Sequence, residues 1–102
     1  MKPTTLERLM QHLLPMPNNS ESCVRDCVET ASGTRLSVQA SRFHYCLPRD
    51  DMGPYTRVEV MHPNAPEEWS QYNDCENVYA YVPIEMVAAE IDRLGGFAEE
   101  QV

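Results

Sequence analysis

The spacing of apolar residues predicts an amphipathic helix at each end of the chain. In the first of these segments, apolar residues recur every three or four positions, at Leu6, Leu9, Met10, Leu13 and Leu14. Thr4 and Glu7 have the spacing of a capping box, in which each side chain satisfies a backbone N–H group of the first turn. Pro15 then ends the pattern, because proline cannot continue the backbone hydrogen bonds of a helix. We therefore predict a first helix over about residues 4–14.

The second helical pattern covers about residues 83–94. It begins at Pro83, a residue that suits the first turn of a helix. Two glycines follow its last apolar residue and supply the left-handed conformation with which helices commonly end. The apolar face consists of Ile84, Val87, Ala88, Ile91 and Leu94. Three carboxylates lie off this face, so we expect Glu85, Glu90 and Asp92 to be exposed on the outer side of the helix.

Between the two helices, three segments alternate apolar and polar residues with the period of a half-buried strand. These segments are "TRLSVQASRFHYC", "YTRVEVM" and "VYAYVP", which cover residues 34–46, 55–61 and 78–83. Turn-forming residues separate the first segment from the second. Prolines and asparagines separate the second from the third, with one short helical turn predicted from Pro66. We expect a sheet core over about residues 34–82.

The stretch "FHYC", residues 43–46, combines the residue types of a core strand with those of a chemical site. As a continuation of the first strand beyond a bend near Ser41, it would place Phe43 and Tyr45 on one side of the sheet. His44 and Cys46 would lie on the other side, and free cysteine is among the most buried residue types. We therefore predict a core strand here.

The segment "SESCVRDCVETASG", residues 20–33, fits two structures. Its apolar residues follow helical rows and predict a second helix that ends near Gly33. Its valines and threonine equally suit a strand that turns into the next one. We choose the helix. The chain is then a single α+β domain over residues 1–102, in which a small antiparallel sheet of three to four strands has helices packed on one face.

The length and composition narrow the class of protein. A chain of 102 residues is long enough for one domain and too short for two. No apolar run approaches the roughly 20 residues that span a bilayer, and the first residues, "MKPTTLERLMQHLL", lack the continuous apolar segment of a signal peptide. We expect a soluble cytoplasmic protein, in which the four cysteines remain reduced.

Charge is distributed unevenly along the chain. Residues 1–49 hold six basic and four acidic residues, a net charge of +2. Residues 50–102 hold two basic and twelve acidic residues, a net charge of −10, which gives −8 for the whole chain. Such asymmetry attracts a basic partner to one side of a molecule and repels nucleic acid from that side. The alternative interpretation is a solvated acidic surface that only maintains solubility.

A metal site is the first chemical possibility that the sequence raises. Cys23, Cys27, His44 and Cys46 are ligand types that zinc accepts, and such a site would make the protein a small zinc-stabilised adaptor. The two nearest cysteines, however, fall within an apolar pattern and lack the glycines that usually shape a zinc knuckle. We expect neither a metal nor another cofactor.

Catalysis finds little support in the residue pattern. A nucleophilic cysteine needs a base that faces it in a cleft, whereas His44 and Cys46 would point the same way from one strand. Adjacent acids such as Asp50–Asp51 or Glu67–Glu68 are more often solvated than catalytic. A cysteine- or carboxylate-dependent enzyme is therefore the weaker alternative, and we predict that the protein is not an enzyme.

Two segments resemble small proteins that bacteriophages and other mobile elements carry. These segments are "LSVQASRFHYCLPRDDMGPYTRVEV" and "VYAYVPIEMVAAEIDRLGG", residues 36–60 and 78–96, under half of the chain. The shared features are a "SVQAS-x-x-HYC-x-P" stretch, a "GPY" turn and a "VY-x-YVP" strand that runs into a glycine-terminated helix. This chain departs from the pattern at "MHPNAPEEW", where those proteins more often have a glycine before the proline.

The resemblance implies an anti-CRISPR protein or another inhibitor of bacterial defence, acting in the cytoplasm of the host. Carboxylates can compete for the Arg and Lys groups that neutralise phosphate charges. We therefore expect a non-enzymatic inhibitor that binds a nucleic-acid-handling protein complex such as a CRISPR effector, and that binds neither nucleic acid nor a membrane directly. The expected contact residues are Asp50, Asp51, Glu67, Glu68, Trp69, Asp74, Glu76, Glu85, Glu90 and Asp92, with Trp69, Tyr55 and Tyr72 as aromatic anchors. Trp69 fits a core position equally well.

Overall fold

In a computed structural model, which describes residues 3–14 and 24–98, the chain forms a five-stranded antiparallel sheet with helices packed against it. The elements are α1 (Thr5–His12), β1 (Val28–Glu29), β2 (Arg35–Gln39), β3 (Arg57–Met61), the 3-10 helix η1 (Glu67–Tyr72), β4 (Asn73–Cys75), β5 (Val78–Pro83) and α2 (Ile84–Arg93). The strand order is β1-β2-β3-β5-β4. The predicted α+β class is confirmed, with five strands instead of three to four. The two additional strands, β1 and β4, have two and three residues, too few to show an alternating pattern.

Both predicted terminal helices are present. The capping box of α1 is formed, because the Thr4 hydroxyl accepts a hydrogen bond from the Glu7 N–H at 3.1 Å and the Glu7 carboxylate accepts one from the Thr4 N–H at 2.9 Å. Leu9 and Leu13 are buried, and α1 packs against α2. Neither helix of the described chain is long and apolar enough to cross a bilayer.

The core lies between the apolar sides of the helices and one face of the sheet. Val58 and Val60 of β3 point into it, as the alternating pattern predicts. The other fully buried side chains that surround them are Leu9, Leu36, Val38, Val82, Val87 and Ile91. The predicted strands at 55–61 and 78–83 and the helical turn after Pro66 are thus confirmed, each within a few residues.

The second helix that we chose over residues 20–33 is wrong for the part that the structure describes. Residues 24–27 belong to no helix, and β1 follows them. Side-chain hydrogen bonds explain the difference: the amide of Gln39 accepts from the Arg25 N–H at 2.7 Å and donates to the Arg25 carbonyl at 2.8 Å. The segment therefore runs alongside β2, and tertiary hydrogen bonding outweighs its helical periodicity. Residues 20–23 lie outside the described part.

The predicted core strand at "FHYC" is also wrong, because β2 ends at Gln39 and residues 41–46 form turns. The hydroxyl of Ser41 accepts a hydrogen bond from the Phe43 N–H at 3.0 Å, and the His44 N–H donates to the Ser41 carbonyl at 3.2 Å. Local bonds of this kind compete with the ladder of a sheet. Phe43 and Tyr45 are consequently exposed, whereas Cys46 is buried as expected.

The two edges of the sheet differ. Beyond β1, the chain that follows α2 turns back, so that Phe97 forms a β-bridge with Thr30 and the Ala98 N–H donates to the Glu29 carbonyl at 2.8 Å. This segment covers the first edge. At the opposite edge lies β4, all of whose residues are exposed.

Candidate functional site

Two of the predicted contact residues, Asp50 and Asp51, are not free loop carboxylates. Asp50 accepts hydrogen bonds from the backbone N–H groups of Met52 and Gly53, at 3.0 and 3.1 Å. Asp51 accepts from the Arg42 N–H at 2.8 Å and pairs with the Arg42 guanidinium. Both residues are only partly exposed. The expectation of an exposed acidic pair is therefore wrong, and these carboxylates hold the loop in its conformation.

We expected Glu90 on the outer side of α2, and this is also wrong. The residue is buried, with 4% of its surface exposed. It lies three residues after Val87 at the border of the apolar face, where His62 meets it from the end of β3. The His62 Nε2 atom lies 2.7 Å from one Glu90 oxygen, and the Arg93 guanidinium donates to both oxygens at 2.6 Å. Burial alone would raise the pKa of Glu90, but the hydrogen bonds from Arg93 and His62 outweigh burial and lower it.

The tautomer of His62 follows from its two partners. Its Nδ1 atom lies 3.2 Å from the Asn64 N–H, which donates to it. With Nδ1 as the acceptor, Nε2 is the nitrogen that donates to Glu90. Trp69 packs edge-on against this imidazole with the ring centroids 5.4 Å apart. His62 is 1% exposed, so the network is structural and out of reach of a substrate.

Two of the three proposed aromatic anchors belong to the core. Trp69 is 2% exposed and contacts both His62 and Tyr79, so the alternative that it packs in the core is the correct one. Tyr55 is 3% exposed, and its hydroxyl donates to the Asp50 carbonyl at 2.8 Å. Tyr72 is half-buried and packs against the core. These rings stabilise the fold and present little surface to a partner.

Four predicted contact residues lie together near the uncovered edge of the sheet. Glu67 and Glu68 occupy the first turn of η1, which leads directly into β4, where Asp74 lies. Glu76 follows in the turn between β4 and β5. All four are exposed, and no basic side chain of the described residues forms an ion pair with them. We call this set, Glu67, Glu68, Asp74 and Glu76, the acidic edge.

The turn that carries Glu76 has a strained backbone. Glu76 has a φ of 46°, in the left-handed region that favours glycine. The side-chain amide of Asn73 ties the turn together by donating to the Glu76 carbonyl at 2.8 Å. A carboxylate thus occupies a position at which glycine would fit the backbone better.

The last two predicted contact residues lie on α2. Glu85 and Asp92 are exposed, as expected. Asp92 also accepts a hydrogen bond from the Thr5 hydroxyl, which joins α2 to the start of α1. Glu85 is therefore the freer of the two carboxylates.

The side chains of His44 and Cys46 hydrogen-bond to other groups of the turn and not to each other. Cys46 is fully buried, and its thiol points at the carbonyls of Ser41 and Pro48, at 3.2 and 3.4 Å. Burial raises the pKa of the Cys46 thiol, which disfavours the thiolate that a nucleophile requires. Burial also lowers the pKa of His44, whose Nδ1 atom is 2.7 Å from the hydroxyl of the fully buried Ser41.

The described part of the chain contains no cluster of side chains that would form the alternative zinc site. Across residues 3–14 and 24–98, no three His, Cys, Asp or Glu side chains come together in a group that could hold a metal ion. Of the four candidate ligands, Cys27 is exposed, Cys46 is buried and His44 is partly buried. Cys23 lies outside the described residues.

Two features escaped the sequence analysis. Arg25 is buried, and its guanidinium donates to the carbonyls of Leu13 and Ala40, which joins the end of α1 to the end of β2. A single arginine within the apolar pattern of this segment gave no signal for this role. The second feature is a group of exposed apolar side chains at residues 43–52. The sequence analysis missed it because it assigned Phe43 and Tyr45 to a core strand.

Comparison with known proteins yields no relative: no protein-family model matches the chain, and neither a curated protein nor a solved structure shows significant similarity to it.

Proposed function

We propose that this protein is a non-enzymatic inhibitor that binds the basic surface of a bacterial nucleic-acid-handling complex, such as a CRISPR effector, through its acidic edge. The observation that carries the proposal is the contrast among the carboxylates. Asp50, Asp51 and Glu90 bond to groups of their own chain, whereas the four residues of the acidic edge are exposed and lack a basic partner in the described residues.

The negative charge of the acidic edge allows it to compete with nucleic-acid phosphates for basic side chains of a partner. A protein that binds nucleic acid does so largely by placing Lys and Arg side chains against phosphates. The carboxylates on η1, on β4 and in the β4–β5 turn can form ion pairs with the same Lys and Arg side chains. Glu68 is close enough to the end of α2 to raise the pKa of Arg93, a smaller cause than the Glu90 contacts. This mode of action needs no cleft and no nucleophile.

The test is an inhibition assay on purified effector complexes. Complexes of several CRISPR types, each with its guide RNA, would be mixed with the protein, and target-DNA binding and cleavage would be measured. We expect loss of DNA binding or cleavage for at least one type. We expect Glu67→Lys with Glu68→Lys, and Asp74→Lys with Glu76→Lys, to weaken that inhibition tenfold or more.

A control variant tests whether the change in net charge alone weakens inhibition. Asp26 and Glu29 are exposed carboxylates in the other half of the chain, so Asp26→Lys with Glu29→Lys changes the net charge equally. Inhibition that survives both acidic-edge variants, or that the control abolishes equally, would contradict the proposal.

A further inference from the structure

The segment between β2 and β3 exposes an unusual amount of apolar surface. Seven large apolar side chains are exposed among the described residues, and four of them, Phe43, Tyr45, Leu47 and Met52, fall within ten positions. Phe43 is 58% and Met52 77% exposed. Single exposed apolar residues are ordinary, but a cluster of them marks a surface that binds something.

A loose loop does not account for this exposure, because hydrogen bonds hold the segment at several points. The Leu47 N–H donates to the Arg57 carbonyl at 3.0 Å, and the Thr56 N–H donates back to the Leu47 carbonyl at 2.7 Å. The Tyr81 N–H of β5 donates to the Tyr45 carbonyl at 3.1 Å. A surface fixed in this way loses little conformational entropy when it binds a partner.

The acidic and basic side chains of the segment make different contacts. The carboxylates of the segment, Asp50 and Asp51, accept backbone N–H bonds within the loop, and Glu59 of β3 accepts one from the Tyr45 N–H at 3.1 Å. The Arg42 guanidinium pairs with Asp51 and lies 4.4 Å from the centre of the Phe43 ring. The Arg49 guanidinium lies 5.3 Å from the centre of the Tyr45 ring and forms no ion pair within the described residues. The outward chemistry is therefore aromatic, aliphatic and positive.

An irregularity in β5 adds a ring to this surface. Val58 pairs with Val82 and Val60 with Tyr79, so Glu59 alone faces both Ala80 and Tyr81. Such a bulge redirects a side chain. Tyr81 adopts a φ of 57°, rare for a bulky residue, and its ring lies 5.8 Å from that of Tyr45.

We define the 42–52 surface as Arg42, Phe43, Tyr45, Leu47, Arg49 and Met52, and we propose that it binds a segment of a partner protein in which apolar side chains stand next to carboxylates. Aromatic, methionine and arginine side chains are the types enriched where proteins meet. The Arg49 guanidinium, which forms no ion pair within the described residues, complements a carboxylate, a group that arginine binds in a bidentate manner. Nucleic acid is disfavoured, because two arginines, one of them already paired with Asp51, neutralise few phosphates on a chain of net charge −8. This inference does not depend on the acidic edge.

The test is selection from a random peptide library displayed on phage, with the full-length protein as bait. Enriched peptides would be synthesised with a fluorescent label, and their affinity would be measured by fluorescence anisotropy. We expect the enriched peptides to combine Leu, Phe or Trp with Asp or Glu. Phe43→Ser and Arg49→Gln should each weaken binding tenfold or more. Val24→Ser, which alters a side chain that is also 58% exposed but lies outside the surface, should not. Circular dichroism would verify the fold of each variant.

Three results would overturn the proposal. The first is a selection in which no enriched peptide depends on Phe43, or in which the dependent peptides lack carboxylates. The second is binding of a fluorescent oligothymidylate that Phe43→Ser abolishes, which would assign the surface to single-stranded nucleic acid. The third is a dimer of the protein, detected by sedimentation equilibrium, that Phe43→Ser dissociates, because the occupant would then be a second copy of this chain. Loss of inhibition by acidic-edge variants alone would leave the 42–52 surface unaffected, so the two proposals fail separately.

Discussion

At the scale of single residues, burial decides what each polar group does. Glu90 and Glu85 are both glutamates of α2, yet Glu90 is buried and hydrogen-bonded to His62 and Arg93, whereas Glu85 is exposed to solvent. The pattern of apolar positions assigned them to the same side. Only the position of His62, contributed by another element, separates the two roles.

Glu90→Gln should destabilise the protein at neutral pH by about 1–3 kcal/mol, because it removes hydrogen bonds to a charged group. Since the pKa of Glu90 is lowered in the folded protein, its carboxylate stabilises the fold above the ordinary value of 4.5, and the contribution is lost as the pH falls through the folded pKa. As the pH is lowered, the free energy of unfolding should therefore decrease less steeply for the variant than for the parent protein. Urea titrations across a pH series would measure this, with Glu85→Gln as the control. An unchanged pH profile in Glu90→Gln would contradict the role of the network.

Cys46→Ala should cost about 1–2 kcal/mol of stability, because it removes a fully buried group at the centre of the turn. Cys75 is exposed, so Cys75→Ala should leave stability unchanged. The number of thiols that react rapidly with a disulfide reagent should fall in Cys75→Ala and stay the same in Cys46→Ala. Rapid labelling of Cys46 in the native protein would show that the turn does not protect it.

At the scale of elements, α2 closes the core. It follows β5 without a loop, and the Ile84 N–H donates to the Thr56 carbonyl at 3.0 Å, so its start is fixed against the chain that leads into β3. Its apolar face also packs against α1. The sheet therefore depends on this helix for the burial of its inner face.

Ile91→Ala should destabilise the protein by about 2–5 kcal/mol, because it removes buried methylene groups and leaves a cavity. Ile91 is fully buried. Chemical denaturation would measure the loss, and Glu85→Ala on the exposed side of the same helix serves as the control. A loss of less than about half a kcal/mol would mean that α2 is peripheral to the core.

At the scale of the whole molecule, the two halves of the chain present different chemistry. The acidic edge gathers free carboxylates at one edge of the sheet, and the 42–52 surface directs arginine and aromatic groups outward. Fewer of the acids in residues 50–102 are free than the sequence count suggests, because five of them accept hydrogen bonds from their own chain: Asp50, Asp51, Glu59, Glu90 and Asp92.

Binding through the acidic edge should weaken as salt rises, because screening reduces attraction between exposed charges. Glu67→Lys with Glu68→Lys should lower the affinity for an inhibited complex tenfold or more, with the largest defect at low salt. Titrations of the parent and the variant across a salt series would show converging affinities. Asp50→Lys with Asp51→Lys is unsuitable for this test, since it removes the hydrogen bonds and the ion pair that hold the loop. Parallel salt dependence in parent and variant would reduce the acidic edge to a solvated surface.

The sequence by itself determined the terminal helices, the strands at β3 and β5 and the α+β class. The reason is that capping residues and strictly periodic apolar positions act within a few residues of one another, as in α1 and in β3. Tertiary structure alone decided the conformation of residues 24–29, where the Gln39 side chain replaces helical bonds, and the end of β2, where Ser41 diverts the chain. It also decided which acids are free. A carboxylate on a printed sequence looks the same whether it meets water, as Glu67 does, or a buried histidine from a distant strand, as Glu90 does.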